Sequence, residues 1–153
     1  MKYKVKITDF EKKEINISED EITEVKYSIG LREKNDYANN RSSVEMEIRG
    51  KVISNLESIN NENTGKSVNE DLYEKNKKNI IELAKWAKSY LGKNDYRNIE
   101  VTVDLGGNKT LEYSFSNMFV YDFSQEFSIE KGIGIFIMNL KQKFHQKSDI
   151  EIK

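Results

Sequence analysis

Several groups of residues in this chain have the types and spacing from which chemistry is usually built. Gly65-Lys66-Ser67, opening a helical stretch, matches the end of a phosphate-binding loop, whose backbone N–H groups and lysine cradle a nucleotide's phosphates. That loop also needs a glycine five residues earlier, where this chain has Asn60, and no buried strand leads directly into it. A turn glycine followed by a serine helix cap accounts for all three residues. His145 is the only histidine, so any histidine-based base must be this one, and it lies in the tail Lys141-Gln142-Lys143-Phe144-His145-Gln146-Lys147. With no metal-ligand spacing and no cue for a nucleophile, it reads as a surface or interface residue. Glu19-Asp20-Glu21 gathers carboxylates that could hold Ca²⁺, but lacks the alternating ligands and glycine of a calcium loop, and reads as a solvated turn.

The aromatic stripe from Tyr113 to Phe127 could stack nucleic-acid bases. It carries no interleaved basic residues and reads as core. Gly106-Gly107 reads as a hairpin turn, and Gly132-x-Gly134 as positions of close approach in a strand. Cysteine is absent, which excludes disulfides, thiolate metal sites and cysteine nucleophiles. The chain is therefore not read as an enzyme, and no catalytic residue, metal or cofactor is assigned.

With so little chemistry to position, the elements themselves become the subject. Ser67 to Gly92 is the one substantial helix. Ser67-Val68-Asn69-Glu70 has the form of a capping box, and Gly92 supplies a stop that is free to adopt the left-handed conformation. At 100° per residue Leu72, Tyr73, Ile80, Leu83, Ala84, Trp86, Ala87, Tyr90 and Leu91 fall within roughly 160° of arc. Ile81 lies just outside that arc. Asn76 sits in its middle, where a side chain hydrogen-bonded to a strand edge is expected. Glu70, Asp71, Glu74, Lys75, Lys78, Glu82, Lys85 and Lys88 make the opposite, solvated face, acidic early and basic late as the helix dipole prefers.

Everything else is patterned for strands. Tyr3, Val5 and Ile7 alternate with polar residues, Ile15 and Ile17 repeat the pattern briefly, and Val25, Tyr27, Ile29 and Leu31 continue it after Ile22. Val44, Met46, Ile48 and Val52 form a third long strand; Ile99, Val101, Val103 and Leu105 form the next. Gly106-Gly107-Asn108-Lys109 predicts a hairpin into Leu111, Tyr113 and Phe115. From there Phe119, Tyr121, Phe123, Phe127 and Ile129 also hold odd positions, which predicts bent or broken strands sharing one inner face, interrupted at Asn117 and Gln125. In Ile133 to Leu140 odd and even residues are both apolar, which predicts one face in the sheet core and the other under the helix. Glu33 to Ser43 is polar turn chemistry and reads as a long protruding loop.

The 153 residues read as one domain, 1–153, long enough for a sizeable core. Charged residues make up 33% of the chain and balance to −1, so no basic footprint marks a nucleic-acid-specific site. No apolar h-region follows Met1 and no run is long enough to span a membrane, so synthesis in the cytoplasm without a signal peptide is expected.

Strands, an exposed loop after the second long strand, one amphipathic helix, then a hairpin and long closing strands: this order resembles the tail-tube fold. That family includes the hemolysin-coregulated protein of type VI secretion and the tube proteins of contractile phage tails and phage-derived injection systems. The likeness runs from Lys2 to about Ile150 and rests on element order and length. It implies a mainly β (α+β) fold, a β-barrel-like sandwich with one long amphipathic helix packed on its side, assembling with itself into stacked hexameric rings. It also implies sheath, baseplate or cargo proteins as further partners and release as part of a tail-like particle. In the family the loop after the second strand reaches the next ring; here that segment is Lys34 to Ser42, with Asp36, Tyr37, Asn39, Asn40 and Arg41 as the expected stacking contacts. The alternative is a closed β-barrel carrier of a small apolar ligand, lined by Phe115, Phe119, Phe123 and Ile135.

Overall fold

Period-2 alternation becomes eight strands in the computed structural model, which describes residues 1–31, 42–54, 66–89, 92–130, 133–142 and 150–153. They are β1 (Lys2–Thr8), β2 (Glu14–Ile17), β3 (Ile22–Leu31), β4 (Ser42–Val52), β5 (Arg97–Gly106), β6 (Lys109–Ser128), β7 (Ile133–Gln142) and β8 (Glu151–Ile152), with α1 (Lys66–Lys88) between β4 and β5. All pairings are antiparallel. The sheet runs β2-β1-β5-β6-β7-β4-β3, and β8 pairs with β6. Its ends, β2 and β3, are not bonded to each other, so the sheet is open rather than a closed barrel. It curls instead, bringing β3 back over β1 and the first half of β6, where Tyr27 packs on the rings of Tyr113 and Phe115 at 5.2 and 5.4 Å.

One core fills the concave side. Val5 and Ile7 of β1 stand opposite Ile17 and Ile15 of β2 on one flank and Val101 and Ile99 of β5 on the other. Met46 and Ile48 of β4 likewise face Leu140 and Met138 of β7. These residues and Ile80, Leu83 and Trp86 of α1 belong to a single buried cluster. The helix thus closes the concave side, packing on β2, β4 and β6. The expectation that it lies over the second apolar face of β7 is corrected: that face points outward. Ile133 is exposed and Ile135 and Ile137 are half-buried, flanked across the strands by Lys51 and Arg49 of β4 and by Glu126 and Ser124 of β6.

The long β6 explains a second correction. Asn117 adopts a positive φ of 53°, and the register slips there against β5 and again between Val120 and Asp122 against β7. Each bulge inserts one residue and turns the following side chains to the other face. The inner set is therefore Tyr113 and Phe115, then Met118 and Val120, then Phe123. Phe119 and Tyr121 leave the core: Tyr121 is exposed, and Phe119 meets Tyr96 edge-on at 5.8 Å. The strand bends as the sequence predicts, but it does so by exchanging faces rather than by keeping one.

Gly107 and Asn108 (φ 61° and 60°) form the two-residue turn between β5 and β6, the left-handed pair that matches hairpin twist. Gly92, by contrast, is not a left-handed helix stop. It is extended (φ −96°, ψ 162°) and opens a short 3₁₀ turn, Lys93–Asp95, where its N–H donates to Asp95 Oδ2 at 2.8 Å. The helix ends at Lys88, four residues sooner than the glycine suggests.

Leu83 has no exposed surface and lies near the centre of the helix's buried face. Leu83→Ala is expected to cost roughly 2 to 5 kcal/mol, as other large-to-small core changes do. Urea melts measure this; a change within about 0.5 kcal/mol, the range of ordinary surface substitutions, would place the residue in solvent.

Candidate functional site

The helix is fixed to the sheet by polar groups as well as by its apolar arc. Asn76 Oδ1 accepts from the backbone N–H of Ile53 at 2.8 Å, and its Nδ2 donates to the Lys51 carbonyl at 3.0 Å, just where β4 ends. This is the strand-edge bond expected for Asn76. One turn on, Asn79 donates to the carbonyl of Asn16 in β2 at 2.9 Å. Between them lies Glu21, with 0% of its surface exposed. Glu21 Oε1 accepts from Asn76 Nδ2 at 3.0 Å and Asn79 Nδ2 at 3.1 Å. Its Oε2 accepts from the Ser18 N–H at 2.8 Å and the Ser18 hydroxyl at 3.0 Å.

The acidic turn is accordingly corrected in one member. Asp20 is exposed, but Glu21 turns inward, because the turn is closed by its N–H bond to the Ser18 carbonyl at 3.0 Å and its own carbonyl takes Lys51 N–H at 2.7 Å. No cation pairs with this carboxylate among the described residues, so neutral N–H and O–H dipoles alone offset its desolvation. The cluster joins β2, the turn before β3, the end of β4 and α1. Its chemistry is structural: every donor is spent inside the protein, and nothing in it faces a substrate.

At the other end of the helix Trp86 Nε1 donates to the Asp95 carbonyl at 2.9 Å, and the Arg97 guanidinium stands 4.9 Å from the centre of the Trp86 ring. Burial pushes the Arg97 pKa down, against the pull of Asp9, Glu82 and Asp95. This holds the first residue of β5 to the last turns of the helix.

The bonded path of the sheet leaves β2 and β3 as its ends. α1 lies along β2, whereas β3 carries exposed Tyr27 and Ile29. On the free side of β6, β8 covers Tyr113 and Ser114. Two apolar features lie at opposite ends of β6. Along its first half is a cavity of about 200 Å³, lined by Tyr3, Val25, Tyr27, Val103, Leu111, Phe115 and their neighbours. At its far end the hairpin into β7 exposes Phe127, Ile129 and Ile133.

The sequence-predicted interior lining does not form. Of its four residues only Phe115 borders the cavity; Phe123 stacks on Phe136, Phe119 lies against Tyr96 and Ile135 is on the outer face of β7. The predicted stacking contacts Asp36, Tyr37, Asn39, Asn40 and Arg41 lie outside the described residues, as do His145 and Gly65. Among the described residues no group of His, Cys, Asp and Glu could hold a metal ion. No described helix is long and apolar enough to cross a membrane.

Among the described residues these features define a class: an open, curled antiparallel sheet braced by one α-helix, with apolar side chains exposed on β3 and on the β6–β7 hairpin. No family model matches the chain, and no curated protein matches it. Among solved structures it superposes on Hcp1 from Flavobacterium johnsoniae with a TM-score of 0.53 at 10% identity, over 99% of this chain and 94% of that one. A chain of the anti-feeding prophage baseplate, a six-fold-symmetrised cryo-EM structure, superposes with a TM-score of 0.54 at 8% identity, over 99% and 92%. The fold is Hcp-like, as the order of elements in the sequence suggests.

Proposed function

We propose that the chain is a structural tube protein of a phage tail-like or contractile injection or secretion system, assembling with itself into stacked hexameric rings. The observation that carries this reading is a fold shared over nearly the whole length with Hcp1 and with a prophage baseplate chain. The chain acts as one tail-tube-like domain, without catalysis or cofactor. Sheath, baseplate and cargo proteins are its further partners, and it leaves the cell as part of a tail-like particle. Cyclic assembly needs two different patches on each protomer to meet. The exposed face of β3 on one side and the outer face of β7, with Ile133, Ile135 and Ile137, on another are suited to that.

Ring formation and stacking are then separable. Deleting Asn35 to Asn40 is expected to leave rings intact and to shorten or abolish tubes, because the segment lies between β3 and β4 and carries Tyr37 as its one large apolar side chain. Light scattering after size exclusion, with negative-stain microscopy of both proteins, is the measurement. A wild type that stays strictly monomeric at tens of micromolar, with no rings on the grid, would count against the tube.

A further inference from the structure

We propose that the β6–β7 hairpin tip of one copy seats in the apolar cavity of a second copy, Phe127 entering between Tyr27 and Leu111. This contact is distinct from the stacking segment 34–42, and it rests on the reading of the chain as self-assembling.

The tip is largely exposed. Phe127, whose ring lies over Gly134 of its own hairpin, is 68% exposed, Ile129 is 100% exposed, and Ile133 is exposed on the hairpin's other face. Solvating three large apolar side chains on one hairpin end is unfavourable by roughly 25 cal/mol for each Å² of apolar surface. The cavity is the complementary hole. Its walls are apolar or aromatic, its rim carries exposed Tyr27 and Leu105, and the Tyr27 ring packs on the rings of Tyr113 and Phe115.

Size narrows the kinds of occupant. At about 200 Å³ the space is below the roughly 300 to 1,000 Å³ of pockets that enclose drug-sized ligands. A cavity of about 150 Å³ lined by similar residues takes benzene, so one phenyl ring fits with room to spare.

Charge agrees with this pairing. Glu130 at the tip and Lys109, two residues before the cavity's Leu111, are both exposed, and among the described residues neither forms an ion pair. Asp104 and Glu112 alternate with the lining residues Val103, Leu105, Leu111 and Tyr113, so they belong to the other face of the sheet. Because knob and hole lie at opposite ends of one strand, a copy using its tip still has its cavity free. The contact is head-to-tail and repeats along a stack rather than closing a dimer. A single tip buries less than the roughly 1,000 Å² of a stable isolated interface, so the contact holds through repetition across many protomers.

The absence of cysteine makes the test clean. Phe127→Cys and Leu105→Cys proteins are prepared separately, mixed at tens of micromolar, and treated with a short bismaleimide; Thr102→Cys replaces Leu105→Cys as the control. Denaturing gels of mixtures in which one partner carries a mass tag should show tagged–untagged pairs for Phe127 with Leu105 at least tenfold above Phe127 with Thr102. A chain carrying both Phe127→Cys and Leu105→Cys should give a ladder of multimers. Light scattering of the wild type is run in parallel. Assembly without this crosslink would overturn the tip contact and leave the tube reading standing. Preferential crosslinking of the cysteine variants, with a wild type that forms no rings, would support the contact and count against the rings. Native mass spectrometry finding a small apolar molecule in the wild type, with no crosslink, would give the cavity to a ligand and overturn the proposal.

Discussion

Replacing Glu21 by Gln is expected to lower the unfolding free energy by about 3 to 5 kcal/mol, although it removes no atom from the core. The reason is that both carboxylate oxygens only accept. Oε1 takes N–H groups from Asn76 and Asn79, and Oε2 takes the N–H and hydroxyl of Ser18. An amide in either orientation turns one of those oxygens into an NH₂ group that faces two donors. A hydroxyl can rotate away, but a backbone N–H and two asparagine amides committed to carbonyls elsewhere cannot. Equilibrium urea unfolding should show a lower midpoint at an unchanged slope. Adding Asn79→Ala should cost less in Glu21→Gln than in the wild type, with a coupling above about 0.5 kcal/mol, since the two groups share bonds. A midpoint equal to that of the wild type would mean that water, rather than the asparagines, satisfies this group.

Gly50→Val should be the most damaging single change in the sheet, costing more than about 4 kcal/mol or leaving no soluble folded protein. Gly50 has no unusual backbone angle; what it lacks is a Cβ. A carbon there would stand 2.3 Å from two ring atoms of Phe136 and 2.7 Å from the Glu21 carbonyl oxygen. The ring is buried opposite Gly50 in β7, and the carbonyl already holds the Lys51 N–H, so neither side can give way cheaply. Gly50→Ala should be less severe, and adding Phe136→Leu should restore part of its loss by removing the nearer obstacle. Thermal melting of the three proteins checks this. A Gly50→Ala protein that melts with the wild type would show that the ring turns aside freely.

Much of this architecture was legible in the sequence because it follows from local repetition. Alternation located β1, β2, β4 and β5, and the Gly107–Asn108 turn located the hairpin. The helical arc located Leu83 and Trp86, and singled out Asn76 as a buried amide. Asn79 falls on the same arc three residues later, and that spacing was the available signal for a paired polar anchor. Glu21 had no such signal. Beside Glu19 and Asp20 it looks solvated, and only the closure of the Ser18 turn decides which of the three points inward. The bulges in β6 escaped for a related reason. A left-handed Asn117 turns Met118 and Val120 inward in place of Phe119 and Tyr121 until the second bulge reverses the strand again, and period-2 counting has no means of detecting either reversal. The second apolar face of β7 was read correctly as apolar, but its cover was assigned to the wrong element. The side of a sheet on which a helix lies depends on contacts far apart in the chain.

The order of strands also bears on how the protein is made. β1 is flanked by β2 and β5, and β4 by β3 and β7, so no strand joins the two early hairpins into one sheet until the last third of the chain has emerged. At roughly 5 to 20 residues per second, a ribosome leaves them waiting for several seconds with their inner faces open. Contacts so distant along the chain put such a sheet among the slower-folding topologies. α1 is synthesised in this interval, after β2, β3 and β4, and Asn76 and Asn79 supply it with bonds to β2, to Glu21 and to the end of β4. The cluster around Glu21 can therefore hold the nascent half together before β5, β6 and β7 arrive to join it into one sheet.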